Sequence, residues 1–474
     1  MRSAIARRHF LQSAVSTFAI VALAGKARAA APRLAQATIV GPIPAGAESG
    51  EPYRGANEQP VAGPGLPIPD LRPYDYVEEE YFISGMVADQ PYKTSLLLRK
   101  PRDPRKFSGL VAVETIHASG AIPFWGNKKE WMTGGHGWVA AASQLTALEE
   151  HVRKSNPNRY AALSVPNVQP ASASPMTALA GGAQDKVSQE IMTQLGRLLK
   201  GNNRRGPFSG MRVRYLVMGG ASQTGGTTLR YIEQSHAGAR LAGGKPVYDG
   251  YYPAMAFPER PLAGGDAAVL HVVTEGDLVA FGSMGRPMAF RDDSDAPNDR
   301  YRHYQIPGNS HVGMRGVTDP LTVFSTLGNV IKPGEHLSQF PAAEVMLPTL
   351  RRLIDWVMRG TPPPHVGRIE MAEGKIARDE HGNAKGGLRS PWVDVPTVRY
   401  IASAPMAQGD NFFRRLIGLE EPFSEDKLRA LYGTKANYLA RFNAGIDAML
   451  SGGWLFAGDA ARLKAEEAAR PILP

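Results

Sequence analysis

The 474-residue chain carries 54 Lys and Arg against 44 Asp and Glu, a net charge of +10, and it contains no cysteine. Half of that excess sits in residues 1–29, which hold five basic residues and no acid; the other Lys and Arg are scattered. This composition excludes a disulfide framework, a thiolate metal site and a Cys nucleophile, and it offers no basic run interleaved with aromatics for binding nucleic acid.

Residues 1–29 have a basic start, a short apolar run and a small-residue site at Ala27-Arg28-Ala29, the pattern of an export signal. Arg7-Arg8-His9-Phe10-Leu11 reads as the twin-arginine form, which carries folded cargo to the periplasm or beyond. The apolar run is too short for a stable membrane anchor, and no later run reaches about 18 apolar residues. The exported chain is therefore expected to be soluble and to rest on a large apolar core. Residues 30–73, rich in Pro, Gly and Ala, read as an extended surface arm.

A catalytic domain is expected over residues 74–360. "YDYVEEEYFISGMV" and "YKTSLLLRKP" read as antiparallel strands. From residue 110 the pattern changes to apolar runs at 110–116, 137–143, 213–218 and 268–274, with a weaker one at 302–306. Helical stretches at 188–200, 227–235 and 343–360 lie among and after them. Strands apolar on both faces and alternating with helices predict a mostly parallel sheet covered on both sides. After "TPPPH", residues 361–474 hold helical patterns such as "KANYLARFNAGIDAMLSG" and are expected to pack on the same domain or over its mouth.

The loop "GGASQTGGTT" has two readings. Gly220, Gly225 and Thr227 fit the frame of a phosphate-binding loop, but Gly226 stands where that loop needs its Lys. Ser222, between an apolar strand and a helix and flanked by Gly220, Ala221, Gly225 and Gly226, fits a nucleophile elbow, and the bland alternative is a Ser that caps the helix. The partners favour the elbow, because an acid and a His follow in the order this fold requires. Asp277 and Glu275 both lie at the end of the strand "AVLHVVT", with Asp277 preferred because it sits farther past the strand end. His311 occupies the loop "PGNSHVG", whereas His271 and His303 lie inside strands, His236 ends a helix, and His117 and His136 precede Ser222. The oxyanion donors are expected to be the Gln223 N–H and the loop after "LVAVETI", at Ala118 and Ser119. Phe124, Trp125 and Trp131 follow that loop and either line a pocket or pack a helix onto the sheet.

These segments, together with "PFWGNKKEWMTGGHGWVAAASQ", "VVTEGDLV", "SPWVDVPTVRY" and the helical tail, resemble the alpha/beta hydrolase domain proteins of bacteria, many of them exported. The resemblance covers nearly all of the chain after the signal. It implies an α/β-hydrolase fold, with Ser222 as nucleophile and His311 as base, and leaves Asp277 and Glu275 open as the acid. The expected activity is that of an exported serine carboxylesterase acting on a small-molecule ester through an acyl-enzyme, with no metal or organic cofactor. A binding protein that keeps the fold without turnover, and an acyltransferase, are the alternatives. Nothing in the sequence sets an oligomeric state.

Overall fold

The short Val-, Leu- and Ala-rich runs pair into one ten-stranded sheet. In chain order its strands are β1 (Thr38–Val40), β2 (Tyr76–Val87), β3 (Gln90–Pro101), β4 (Leu110–Thr115), β5 (Gly137–Ala141), β6 (Tyr215–Ala221), β7 (Gly250–Ala254), β8 (Ala268–Thr274), β9 (Ser294–Ala296) and β10 (Asp299–Ile306). The spatial order is β1-β2-β3-β5-β4-β6-β7-β8-β10-β9. From β5 to β10 all neighbours run parallel; β1, β2 and β3 form an antiparallel edge, and β9 pairs antiparallel at the other. Every residue of β4, β5, β7 and β8 is buried, as strands covered on both faces must be.

This computed structural model describes residues 37–46, 50–56, 70–87, 89–168, 183–201, 206–285, 288–313, 315 and 330–473. The expected export signal at 1–29 lies outside the described residues, as does much of the arm at 30–73. All described residues belong to one unit, Gln36–Pro474.

The main helices are α1 (Ala183–Lys200), α2 (Gln223–Gln234), α3 (Glu275–Gly282), α4 (Ala342–Arg359), α5 (Glu425–Tyr432), α6 (Lys435–Ser451) and α7 (Ala457–Ala469). α1 packs against β2, α2 against β6 and β7, and α4 against β6, β7 and β8. The strand β7 has no counterpart among the predicted elements. Its sequence, Gly-Tyr-Tyr-Pro-Ala, places Pro253 in a central strand, where a residue without an N–H argues against strand from sequence alone.

Outside the central sheet the described residues add two small sheets, and past residue 361 come the longer helices α5, α6 and α7. β11 (His336–Leu337), β14 (Val398–Ile401) and β15 (Leu419–Pro422) form one sheet in the order β11-β15-β14. β12 (Met371–Ala372) and β13 (Lys375–Ile376) form a hairpin. Trp392, Tyr438, Phe442, Ile446 and Leu463 from this region belong to the same buried cluster as Val113 and Leu216 of the central sheet. A separate cluster, Val330, Ala404, Ile417 and Leu419, packs against Val312, the residue after His311.

Candidate active site

Strand β6 ends at Ala221 and α2 begins at Gln223, so Ser222 alone makes the turn, with φ 57° and ψ −122°. A positive φ at a non-glycine residue is a strained conformation, held here because the Ser222 N–H donates to Ala254 O at 3.0 Å and the Gly226 N–H to Ser222 O at 2.9 Å. The small neighbours are needed for close approach. A Cβ at Gly225 would come within 2.2 Å of Ala254 O, and one at Gly220 within 2.6 Å of the Thr224 hydroxyl. The Ser222 hydroxyl does not cap α2, so its Oγ is left for another partner.

That partner is His311. Its Nε2 lies 2.9 Å from Ser222 Oγ, and its Nδ1 lies 2.5 Å from Asp277 Oδ1. With Asp277 accepting, Nδ1 carries the proton and Nε2 presents its lone pair to the serine O–H. Asp277 is fully buried and His311 nearly so, while Ser222 is half-buried. Asp277 is fixed twice over. Its Oδ2 accepts the Thr274 N–H at 2.7 Å, and its own N–H donates to the Thr274 hydroxyl at 3.0 Å, a reciprocal cap at the start of α3. One carboxylate thus closes the helix with one oxygen and holds the imidazole with the other.

Glu275 does something different. Its Oε2 accepts the Gly308 N–H at 2.7 Å, and its Oε1 pairs with Arg378, just past the β12–β13 hairpin. The Gly276 N–H also donates to Asn309 O at 2.9 Å. A Cβ at Gly276 would meet the His311 N at 2.9 Å and Ala402 O at 2.4 Å, so a side chain there has no room. Glu275 therefore anchors the loop that carries His311 rather than touching its ring. Arg378 lies about a hundred residues from Glu275 and carries no local signal of its role.

The C-terminal end of β4 lies beside that of β6, so the segment after β4 borders the elbow. Gln223, the first residue of α2, has no intrahelical acceptor for its N–H. The loop residues stand differently from expectation. The Ser119 N–H donates to His117 Nδ1 at 3.0 Å within a tight turn, so Ser119 is removed as an oxyanion donor. The Ala118 N–H reaches Gln223 Oε1 at 3.3 Å, a long bond. His117 is pushed down to about 4 by burial, with His311 and His151 adding repulsion, so its ring is neutral at pH 7.

A cavity of about 590 Å³ opens next to this arrangement. It is lined by Gly220 and Ala221 before Ser222, by Ala254 and Met255, and by Gly313 after His311, rather than by the Ser222 hydroxyl itself. Phe124, Tyr252, Met255, Phe340 and Met346 make its apolar wall, and Phe124 stacks on Tyr252 at 5.9 Å. Arg315, Arg462, Glu344 and Glu466 edge it, joined by the ion pairs Arg315–Glu466 and Arg462–Glu344. Arg462 and Glu466 belong to α7, so the C-terminal region forms part of the cavity edge. Of the three aromatics singled out in the sequence, only Phe124 lines the cavity. Trp125 packs on Trp138 and under Arg99, and Trp131 donates from Nε1 to Phe124 O. Among the described residues no group of three or more His, Cys, Asp or Glu is placed to hold a metal ion, and no helix is long and apolar enough to cross a membrane.

His271 and His303 face each other across β8 and β10, ring centroids 4.6 Å apart, both fully buried. Burial pushes His271 down to about 4 and His303 well below its ordinary value. The unfolded chain, titrating near 6.5, binds more protons than the folded one between pH 6.5 and 4, so stability rises with pH across that window and is lost as pH falls through it. The loss from His271 alone is about 3 kcal/mol by pH 4. The urea midpoint is expected to drop steadily from pH 7 to 4, and His271→Gln to flatten that slope by about one proton; an unchanged slope in a folded variant overturns the assignment.

The sheet order, with a strained serine at the turn after the central strand and an acid and a histidine supplied by later loops, defines an α/β-hydrolase fold. The sequence matches the family profile "Alpha/beta hydrolase domain" over residues 39–465. The chain belongs to that family. No curated protein matches the sequence. Among solved structures, acetyl xylan esterase 1 from Thermoanaerobacterium sp. JW/SL YS485 is similar at 12% identity and a TM-score of 0.30, covering 53% of this chain and 83% of that one. A promiscuous CE15 esterase from a marine bacterial metagenome is similar at 8% identity and a TM-score of 0.28, covering 51% and 68%. Likeness at these scores carries nothing about the reaction.

Proposed function

We propose that the protein is a serine hydrolase that cleaves carboxylic esters of small molecules. The observation that carries this reading is the unbroken chain Ser222 Oγ, His311 Nε2, His311 Nδ1, Asp277 Oδ1, with spans of 2.9 and 2.5 Å. Ser222 Oγ attacks the ester carbonyl while His311 Nε2 takes its proton. Asp277 holds the ring in the tautomer that makes this transfer possible and stabilises the imidazolium. The tetrahedral oxygen is held by the Gln223 N–H and by the Ala118 N–H, whose long bond to Gln223 exchanges for the stronger acceptor. The N-terminus of α2 adds its positive end to the same point. Collapse expels the alcohol, which takes the proton from His311. Water then attacks the acyl-enzyme, with His311 as base again, and the acid leaves. The cavity beside the elbow takes the apolar part of the ester against Phe124, Tyr252 and Phe340.

The experiment is labelling with a fluorophosphonate probe. Adduct is expected on the peptide containing Ser222 and none on Ser222→Ala. A protein that neither labels nor hydrolyses any member of a panel of small esters is the non-catalytic binding protein instead. The acyltransferase alternative differs only in the acceptor that releases the acyl group.

Export through the twin-arginine route belongs to the same proposal, supported by Arg7-Arg8 ahead of a short apolar run. Arg7→Lys with Arg8→Lys is expected to leave precursor in the cytoplasm. Unimpaired appearance of processed protein outside it points to the general secretory route.

A further inference from the structure

The side chain of Gln223 is not needed to supply a backbone N–H, yet it is the centre of a hydrogen-bond ring. Gln223 Nε2 donates to Gln144 Oε1 at 2.6 Å, and Gln144 Nε2 donates to Gln223 Oε1 at 3.1 Å. Gln144 Nε2 also donates to Ile116 O at 2.8 Å, and Gln223 Oε1 also accepts the Ala118 N–H at 3.3 Å. Gln144 is buried; it follows β5, whose C-terminal end lies beside that of β4.

The orientation of both amides is dictated from the two ends of this ring. A backbone carbonyl only accepts, so Ile116 O fixes the NH₂ end of Gln144 toward the loop. Gln144 Oε1 then faces Gln223 and demands its NH₂, which turns Gln223 Oε1 to Ala118. A backbone N–H only donates, so Ala118 requires the same orientation from the other side. Neither amide can flip without breaking bonds at Gln144, which is buried, where a lost partner costs about 1–3 kcal/mol. The ring ties Ile116 and Ala118, on either side of His117, to the first residue of α2.

We propose that Gln144 is a positioning residue that acts through the Gln223 side chain to hold the two halves of the oxyanion site in register. The inference rests on the serine-hydrolase reading. The Gln223 N–H belongs to the helix and the Ala118 N–H to the loop after β4; Gln144 is the group that binds the loop carbonyl and the Gln223 amide at once. Two donors serve one oxygen only if their separation is set beforehand, because misplacement by about 1 Å costs on the order of a hundredfold in rate. Gln144 does not touch substrate. Its loss is felt where charge develops on oxygen, not where the ester first binds.

The test uses Gln144→Met, which keeps the length and burial but removes both amide functions, and Gln144→Glu, which keeps an acceptor but cannot donate to Ile116 as a carboxylate. Wild type and variants are first titrated with the fluorophosphonate to count reactive serines, and steady-state kinetics on one ester are scaled to that count. In both variants kcat is expected to fall roughly 10- to 100-fold with KM within about twofold. The inhibition constant of an arylboronic acid, whose tetrahedral serine adduct places an oxygen in the same site, is expected to rise by the same factor as kcat/KM falls. A role limited to folding would lower the titratable fraction or the melting temperature and leave the scaled kcat and the boronate constant unchanged; that result overturns the inference. A rise in KM with unchanged kcat overturns it also. A wild type that neither labels nor turns over overturns the hydrolase reading and the inference with it, whereas an active wild type matched by both variants overturns the inference alone.

Discussion

Ser222→Ala is expected to fold as the parent does and to lose about 10⁴- to 10⁶-fold in ester turnover, on the order of 5–8 kcal/mol of transition-state stabilisation. Folding should survive because the Ser222 hydroxyl does not cap α2 and bonds no backbone atom among the described residues; its partner is His311 Nε2 at 2.9 Å. The backbone bonds that hold the turn, Ser222 N–H to Ala254 O and Gly226 N–H to Ser222 O, remain in the alanine variant. The turn keeps its positive φ, which alanine tolerates about as poorly as serine, so stability should change little. Turnover is lost because no other hydroxyl replaces the nucleophile. Thr224, the nearest hydroxyl along the chain on the helix side, is committed to Ala221 O at 2.9 Å. Steady-state kinetics with folding followed by circular dichroism checks the claim. Wild-type turnover in the folded variant would remove Ser222 from the mechanism.

The groups in this chain of contacts are legible in the sequence because each carries a local mark. Ser222 sits among glycines between an apolar strand and a helix, His311 in a Pro-Gly-bounded loop, and Asp277 just past an apolar strand end. The parallel strands 110–115, 137–141, 215–221 and 268–274 are equally visible as apolar runs, since burial on both faces leaves no alternation to confuse. What is hidden depends on contacts between distant segments. Arg378 reaches Glu275 across a hundred residues, and Gln144 reaches Gln223 across 79. Strands of two to four residues such as β11 and β15 are too short for any period to register. The loop after β4 could be placed beside the elbow, but not which of its N–H groups were already spent; only the fold shows that Ser119 bonds to its neighbour's ring.

The two acids in the first turn of α3 should separate sharply in kinetics. Asp277→Asn leaves the shape of the buried site nearly unchanged but replaces the Oδ1 acceptor, 2.5 Å from His311 Nδ1, with an amide that can present its NH₂ there. Thr274 N–H still needs an acceptor at the other branch, so the Asn oxygen is drawn to Thr274 and its NH₂ to His311. The ring then accepts at Nδ1 and carries its proton on Nε2, where it cannot take one from Ser222. The expected loss is about 10⁴-fold in kcat. Glu275→Gln keeps an oxygen for the Gly308 N–H and gives up only the charge facing Arg378, so the His311 loop should loosen rather than lose its tautomer. About ten- to a hundredfold is expected there, from displacement of the ring relative to Ser222. Arg378→Met should fall in the same range as Glu275→Gln, because it breaks the same clasp from the other side. Kinetics on the three folded variants decide among the possibilities. If Glu275→Gln costs more than Asp277→Asn, the acid of the mechanism is Glu275 and the geometry at His311 has been misassigned. If Asp277→Asn costs under tenfold, the imidazole does not depend on a carboxylate at all.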